Sequence, residues 1–371
     1  MNSIGIPKEI KNNENRVALT PRHVKEIVAK KQQVLVEKGA GIGSGFSDKE
    51  YELAGAKIVG QKDAWKADVV IKVKEPLSAE YKFFREGLIL FTYLHLAGVD
   101  RSLSENLISK KVTGIAYETV TKNGMLPLLT PMSEVAGRMS IQVGSNYLAK
   151  HNGGRGVLLD GTSTVRGGKV VVIGCGMAGS NAILAATGRN CTVVAFDVSD
   201  AALERVKKQF GNKVNAMKSE PSTIKEQIKD ADILVGAVLI PGKQAPKVIT
   251  EDMIKSMPEG SVFVDIAIDQ GGCSETSKPT SHADPVFVKY GVIHYCVTNM
   301  PGAYPRTSTL GLADATLPYI LKLVDLGLEG FISADPGFAR GLNTYKGYYT
   351  LKDVAVALGK ENMYKNFSEL I

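Results

Sequence analysis

Short apolar runs alternate with helical patterns along most of the chain. In the first third, apolar runs occupy residues 4–6, 34–36, 68–73, 88–94 and 113–117. One helix is expected to begin at Thr20-Pro21, where threonine can cap the helix and proline fits its first turn. The alternation returns later, with apolar runs at residues 169–173, 191–196, 233–238, 261–267 and 292–297. Strands that alternate with helices predict parallel sheets, so we expect an α/β protein with two doubly wound domains separated by a cleft.

The domain boundaries follow from a linker and from the C-terminal pattern. A segment with two prolines, 126–134, precedes a predicted helix that begins at Ser133 and ends near Lys150. From Thr307 onward the chain is helical, and residues 351–359 predict another short helix. A chain of 371 residues is too long for one ordinary core. We therefore expect a discontinuous substrate domain, residues 1–128 plus 307–371, and a nucleotide-binding domain, residues 129–306.

Residues 169–197 have the order of a nucleotide-binding βαβ unit. A β-branched run, 169–173, leads directly into Gly174, Gly176 and Gly179, and a helix rich in small residues is expected from Ser180 to about Thr187. Gly174 would allow a tight turn, Gly176 would let the backbone approach a pyrophosphate, and Gly179 would let helix and strand pack closely. The N–H groups at the start of the helix would bind the phosphates.

The acid that ends the next apolar run refines this prediction. Asp197 follows the glycines by about 20 residues, where a carboxylate accepts hydrogen bonds from a ribose with a free 2′-OH. The motif therefore predicts a Rossmann-like domain that binds NAD rather than NADP. The alternative is a doubly wound sheet that binds no ligand or a different nucleotide.

Composition and charge narrow the class of protein. The net charge is +7, but the lysines are scattered and form no basic stripe with aromatic residues, so we expect no nucleic-acid partner. No apolar run reaches the roughly 20 residues that span a bilayer, and the N-terminus has no hydrophobic signal segment. We expect a soluble, cytoplasmic protein without a membrane partner. The four cysteines lack metal-ligand spacing, so we expect reduced cysteines and no metal site.

Polar residues at predicted strand ends are the first candidates for chemistry. Ligands of doubly wound sheets bind beyond the carboxyl ends of the strands. Lys74, His95 and Asp269 follow predicted strands, and Arg16 lies in the loop after the first one. Each alone has an ordinary structural explanation, such as a solvated arginine or an edge histidine, and Asp265 competes with Asp269 for one role. Two cations, a histidine and an acid at the ends of strands that face one cleft strengthen the case for a site.

Segments throughout the chain resemble the alanine dehydrogenase and pyridine nucleotide transhydrogenase family. The resemblance lies in residues 5–9, 12–18, 72–76, 91–95, 116–119, 131–138, 236–239, 265–273 and 299–301. It implies a homohexameric enzyme that interconverts L-alanine with pyruvate and ammonium by using NAD. It also implies substrate binding by Arg16 and Lys74 and catalysis by His95 and Asp269. These residue types suit that chemistry, because arginine binds a carboxylate bidentately and histidine exchanges protons near neutral pH.

The same resemblance implies the positions that bind the cofactor. They are Ser133, Gly174, Gly176, Met177, Ala178, Gly179, Asp197, Val238, Leu239, Ile266, Ala267, Asp269, Val297, Asn299 and Met300. From the sequence alone, the apolar members of this set would be assigned to ordinary core packing. Two features depart from the family pattern: Cys175 lies where a smaller residue is common, and Ala201 and Ala202 lie where a basic residue near the adenosine is common. We therefore expect weaker cofactor contacts at the two alanines.

Two other functions remain open from the sequence. A related NAD-dependent dehydrogenase could act on another small amino acid or oxo acid. A catalytically silent NAD-binding regulator is also possible, although all four candidate catalytic and substrate residues are present.

Overall fold

Two β-sheets, one of eight strands and one of seven, organise the chain. The computed structural model describes residues 2–239 and 244–370. One compact unit contains residues 1–132 and 304–371, and the other contains residues 133–303. In the parts of the chain that are described, no helix combines the length and the apolar character that crossing a membrane requires.

The strands are β1 (Ser3–Ile6), β2 (Gln33–Glu37), β3 (Lys57–Val59), β4 (Val69–Ile71), β5 (Ile89–Thr92), β6 (Thr113–Ala116), β7 (Lys169–Ile173), β8 (Thr192–Asp197), β9 (Val214–Lys218), β10 (Ile233–Gly236), β11 (Val262–Asp265), β12 (Val286–Lys289), β13 (Val292–Tyr295), β14 (Leu342–Tyr345) and β15 (Tyr348–Tyr349). The helices are α1 (Pro21–Ala29), α2 (Asp48–Leu53), α3 (Gln61–Ala64), α4 (Arg101–Ser109), α5 (Thr130–Tyr147), α6 (Met177–Thr187), α7 (Asp200–Phe210), α8 (Pro221–Ile228), α9 (Glu251–Lys255), α10 (Pro305–Ala334), α11 (Pro336–Ala339) and α12 (Lys352–Leu358).

The first unit is built on the sheet β15-β14-β6-β5-β4-β1-β2-β3. Strands β1 to β6 are parallel, whereas β14 and β15 are antiparallel additions at one edge. Both faces of the sheet are buried. Alternate residues of a strand point to opposite sides, so each strand contributes to the apolar clusters on both faces. In β4, Val69 and Ile71 pack into one apolar cluster while Val70 packs into another.

The second unit is built on the sheet β12-β13-β11-β10-β7-β8-β9. All its neighbouring strands are parallel except the edge pair of β12 with β13. Two apolar clusters cover the two faces, with Val170 and Val172 on one side and Val171 and Ile173 on the other. The predicted α/β class with two largely parallel sheets is confirmed.

Several local predictions need correction. Thr20 precedes α1 but its side chain makes no capping bond, because its Oγ1 pairs with Nδ1 of His23 at 2.6 Å. Helix α6 begins at Met177 rather than Ser180, and α5 extends from Thr130 to Tyr147. The antiparallel strands β12, β14 and β15, the parallel edge strands β3 and β9, and helix α8 were not predicted. These short elements lack the long apolar run that marks a central parallel strand.

Candidate active site

Three predicted substrate-side residues lie at one edge of the first sheet. Arg16 is in the loop after β1, Lys74 follows β4, and His95 follows β5. These strands are neighbours in the order β5-β4-β1, and the chain reverses its direction of winding between β1 and β4. That point is the topological switch, where doubly wound sheets bind their ligands. Because these strands are parallel, their carboxyl ends, which carry the three residues, lie on the same side of the sheet.

Arg16 is held by a buried ion pair with Glu14. Its side chain is 2% exposed, and its Nε donates to Oε1 of Glu14 at 2.7 Å while Nη2 donates to Oε2. A third contact joins Nη1 to the sulfur of Met132 at 3.0 Å. Burial by itself lowers the pKa of Arg16, but the hydrogen bonds and charge of Glu14 outweigh burial and the pKa is raised. The guanidinium is therefore charged and fixed in orientation before any substrate binds.

The backbone that carries Lys74 is anchored by a buried charge network. Lys72 donates to Oε2 of Glu9 and to Oε1 of Glu80, both at 2.9 Å, and all three side chains are at most 2% exposed. The other oxygen of Glu9 accepts the backbone N–H groups of Val73 at 2.7 Å and Lys74 at 3.3 Å. Glu9 thus ties the loop after β1 to the end of β4, so the main chain of Lys74 has little freedom to move.

A second ion pair lies beside Lys74. Glu75 is buried and pairs with Lys11, which belongs to the same loop as Arg16. Burial by itself raises the pKa of Glu75, but the charges of Lys74 and Lys11 outweigh it and the pKa is lowered. The carboxylate is therefore ionised and balances positive charge next to the candidate substrate lysine.

His95 has an unusual backbone conformation that Glu118 stabilises. Its φ is +46°, a left-handed value that non-glycine residues adopt rarely. The Glu118 carboxylate accepts the backbone N–H of His95 at 2.6 Å and that of Leu94 at 3.2 Å, and lies 3.8 Å from Nδ1 of the imidazole. The imidazole stacks on the ring of Tyr93, with the ring centres 5.6 Å apart, and is 38% exposed. It is thus oriented yet accessible, as a proton-exchanging group requires.

In the second unit, each glycine of the turn after β7 has a different structural reason. Gly174 has φ +98°, and a Cβ there would lie 2.6 Å from the carbonyl oxygen of Ala237. A Cβ at Gly179 would lie only 1.7 Å from the carbonyl oxygen of Gly174, so helix and turn could not pack. Within residues 2–239 and 244–370, no atom lies within 4 Å of a Cβ built at Gly176. Packing against the described residues therefore does not demand glycine at 176.

Helix α6 presents its N-terminus at this turn. Gly176 is the residue before the helix and has no side chain with which to cap the first N–H groups, those of Met177, Ala178 and Gly179. Helix α5 packs closely against α6. The closeness is shown at Gly137, where a Cβ would lie 2.1 Å from the carbonyl oxygen of Ala178. Ser133 lies one helical turn before Gly137 on the same side of α5. The geometry fits a pyrophosphate at the helix N-terminus.

Asp197 ends β8 beside the glycine-rich turn. Its Oδ2 accepts the N–H of Cys175 at 2.6 Å, and its Oδ1 accepts the N–H of Ser199 at 2.8 Å. The carboxylate is thereby fixed where a ribose bound next to the turn would meet it.

The remaining predicted cofactor residues follow three neighbouring strands. They are Val238 and Leu239 after β10, Ile266, Ala267 and Asp269 after β11, and Val297, Asn299 and Met300 after β13. Ala267, Val297 and Met300 are buried, whereas Leu239 is 43% exposed. The N–H of Asn299 donates to Oδ1 of Asp269 at 3.0 Å, which links two of the strand ends.

Asp265 has a structural role in this edge of the sheet. Its fully buried carboxylate accepts the N–H groups of Ala267 and Cys273, both at 3.0 Å, and the hydroxyl of Ser277. Burial raises the pKa of Asp265, and the hydrogen bonds from Ser277 and Cys273 act in the opposite direction. Asp265 therefore holds the segment 266–273 in shape, while Asp269 within that segment is exposed.

Sequence reasoning assigned no role to Glu9, Glu14, Lys72, Glu80 or Glu118. Glu9, Glu14, Lys72 and Glu118 lie inside the resembling segments. The available signal was a charged residue directly beside a buried apolar strand, as in Lys72, because such a charge must be paired. Only the tertiary structure shows that Glu9 and Glu80 are the carboxylates that pair with Lys72.

Two parallel sheets, a glycine-rich turn before a helix N-terminus and an acid at the next strand end define a dinucleotide-binding protein of the Rossmann type. Profiles of known families agree with this class. The profile described as "Alanine dehydrogenase/PNT, N-terminal domain" matches residues 5–136, and "Alanine dehydrogenase/PNT, C-terminal domain" matches residues 140–352. The chain belongs to the alanine dehydrogenase/PNT family, and the resemblance seen in its sequence is confirmed.

Individual relatives extend the match over nearly the full length. The chain is 56% identical to "Alanine dehydrogenase" of Staphylococcus haemolyticus over 361 residues, 96% of each protein. It is 53% identical to "Alanine dehydrogenase 2" of Staphylococcus aureus over 371 residues, 99% of each. A solved "L-alanine dehydrogenase" superimposes with TM-score 0.92 at 45% identity, over 97% of this chain and 99% of that one. A transhydrogenase from Sinorhizobium meliloti gives TM-score 0.79 at 27% identity, over 94% and 99%. The predicted amino-acid dehydrogenase class is confirmed.

Proposed function

We propose that this protein is an NAD-dependent L-alanine dehydrogenase, which converts L-alanine, NAD and water reversibly into pyruvate, ammonium, NADH and a proton. The observation that carries the proposal is the match to alanine dehydrogenases at 53–56% identity over at least 95% of both chains. We assign the substrate to the domain formed by residues 1–128 and 307–371 and the cofactor to residues 129–306.

Arg16 and Lys74 bind the substrate in this proposal. A guanidinium has five N–H donors, so Arg16 can keep its bond to Glu14 and still hold the substrate carboxylate. Lys74 donates to the oxygen of pyruvate and stabilises the negative charge that develops there when the carbonyl is attacked. The network of Glu9 and Lys72 supports this role, because it fixes the main chain from which Lys74 extends.

His95 and Asp269 handle protons and ammonia. After the amino group of alanine has lost a proton, loss of hydride from Cα leaves an iminium ion, to which water adds to give a carbinolamine that expels ammonia and leaves pyruvate. His95 removes the proton from the attacking water and returns one to the departing amine. Asp269 orients the water or ammonia, and its negative charge suits the iminium ion. NAD, when bound, accepts the hydride.

The glycine-rich turn and Asp197 hold the cofactor. The N-terminal amides of α6 and Ser133 receive the pyrophosphate, and Gly176 supports this, because none of the described residues has an atom within 4 Å of a Cβ built there. Asp197 accepts the ribose 2′-OH and disfavours a 2′-phosphate by charge repulsion, which is why NAD is proposed over NADP. Residues after β10, β11 and β13 line the nicotinamide side of the cofactor site: Val238, Leu239, Ile266, Ala267, Val297, Asn299 and Met300.

The test is a substrate panel followed by absorbance of NADH. L-Alanine with NAD, and pyruvate with ammonium and NADH, should turn over faster than L-serine or glycine with NAD. Faster turnover of another small amino acid would favour the alternative dehydrogenase function. Binding of NAD without turnover of any of these compounds would favour a regulator.

We also propose a homohexamer in the cytoplasm, which follows from the family resemblance. Light scattering during size-exclusion chromatography should give six times the chain mass of 39.8 kDa. A smaller mass that does not change with protein concentration would contradict this assembly.

A further inference from the structure

A second charged side chain reaches the glycine-rich turn beside Asp197. Arg205 lies on α7, and its Nη2 donates to the carbonyl oxygen of Cys175 at 3.0 Å. Asp197 accepts the N–H of the same Cys175 at 2.6 Å. One residue of the turn therefore carries a carboxylate on its N–H side and a guanidinium on its C=O side. The charges are close enough to the Cys175 thiol to affect it: burial and then Asp197 raise its pKa to about 12, and Arg205 opposes them.

Arg205 also resolves a departure noted in the sequence. Ala201 and Ala202 lie where a basic residue near the adenosine is common in the family, and Arg205 follows Ala201 by four residues on the same exposed face of α7. A guanidinium one turn further along the helix thus reaches the turn that the alanine cannot reach.

The position of Arg205 has a chemical consequence. In dinucleotide-binding sheets an acid at the end of the second strand receives a ribose 2′-OH, and an arginine nearby accommodates a 2′-phosphate. This chain carries both groups on the same turn. We infer that Arg205 is a second determinant of cofactor choice: Asp197 repels a 2′-phosphate, and Arg205 would bind that phosphate once the carboxylate is removed. This inference rests on the proposed cofactor site, not on the identity of the amino-acid substrate.

Other cations near this end of the sheet are engaged differently. Lys218 is the β9 residue paired in register with Asp197, but its Nζ contacts Asp200 at 2.6 Å. Lys207 is on α7 with Arg205, but it pairs with Glu204 at 2.8 Å on the exposed surface. Lys207 is therefore a matched control for the loss of one positive charge from the same helix.

The experiment compares the affinities of NAD and NADP by titration calorimetry. The proteins are the parent, the two single variants Asp197→Ser and Arg205→Gln, and the double variant that combines them. Two further proteins combine Asp197→Ser with Arg205→Lys or with Lys207→Gln. Asp197→Ser should tighten NADP binding relative to NAD. Adding Arg205→Gln should weaken NADP binding by about 10- to 100-fold, the range for a hydrogen bond to a charged group, with a much smaller effect on NAD. Arg205→Lys should retain most of the NADP affinity, and Lys207→Gln should change it by less than about 3-fold.

The outcomes separate the possible roles of Arg205. Equal loss of NAD and NADP affinity in the double variant would show that Arg205 only shapes the turn, and this would overturn the inference. The inference would also be overturned if Asp197→Ser and the double variant bound NADP with the same affinity. Because calorimetry needs no turnover, failure of alanine oxidation would refute the proposed function and leave the measurement on Arg205 valid. Failure of the parent protein to bind NAD would refute the cofactor site itself.

Discussion

The buried charges beneath Lys74 give the most demanding prediction. Lys72→Met keeps the length and apolar surface of the side chain but removes the cation that Glu9 and Glu80 share at 2.9 Å. Removing one partner of a buried ion pair costs about 3–5 kcal/mol, because the remaining charge is left without compensation. Since a domain is stable by about 5–15 kcal/mol, this loss is a large share of the total.

A surface lysine supplies the matched control. Lys30 contacts Asp325 at the same 2.9 Å, but the two side chains are 46% and 47% exposed. Lys30→Met should therefore cost at most about 1 kcal/mol. Urea unfolding followed by the fluorescence of Trp65 measures both variants. Trp65 is the one tryptophan of the chain and is buried in the first unit, where both lysines lie.

The stability lost in Lys72→Met should depend on pH, and the pKa of Glu9 gives the direction of that dependence. Burial raises the pKa of Glu9 even though Lys72 lowers it, and without Lys72 the pKa should rise further. A carboxyl group whose pKa is higher in the folded state costs no stability below its unfolded pKa and costs more as pH increases. The stability deficit of Lys72→Met should therefore grow between about pH 5 and pH 8, by at most about 1.4 kcal/mol per pH unit for Glu9.

Neutral partners distinguish charge from packing. Combining Lys72→Met with Glu9→Gln and Glu80→Gln should recover part of the lost stability, because no uncompensated charge remains. The reasoning is refuted if Lys72→Met is no worse than Lys30→Met, or if its deficit is the same at both ends of the pH range.

Three further predictions concern the site itself. His95→Ala should lower turnover by about 100- to 10,000-fold with little change in NAD affinity, and a near-normal rate in steady-state assays would remove His95 from the mechanism. Gly176→Ala should keep the parent's unfolding midpoint but weaken NAD binding, whereas Gly179→Ala should lower the midpoint, because its Cβ would lie 1.7 Å from a carbonyl oxygen. Equal midpoints for the two variants would contradict the packing argument. Arg16→Lys should raise the KM for alanine about 10-fold or more and leave the KM for NAD nearly unchanged, since lysine cannot replace bidentate binding; equal effects on both constants would count against a substrate role.

The local features of the fold were predictable from the sequence. Apolar runs of the right length gave the central strands, since a parallel strand buried on both faces must be apolar throughout. The roles of Gly174 and Gly179 were also predictable, because a tight turn into a helix forces those two backbones together within a few residues. Parallel pairing then explains why Arg16, Lys74 and His95, although far apart in the chain, lie at one edge of a sheet.

The tertiary structure alone decided the long-range partners of the charged side chains. Glu9 and Lys72 are 63 residues apart, and Arg205 reaches Cys175 across 30 residues, so no local pattern identifies either pair. The edge strands β14 and β15 were missed for a related reason, since their pairing depends on where α10 returns the chain to β6. The sequence by itself determined the central strands, the glycine-rich turn and the reactive residue types, because these depend on neighbouring residues. The partners that orient those residues depend on long-range packing, which only the folded chain specifies.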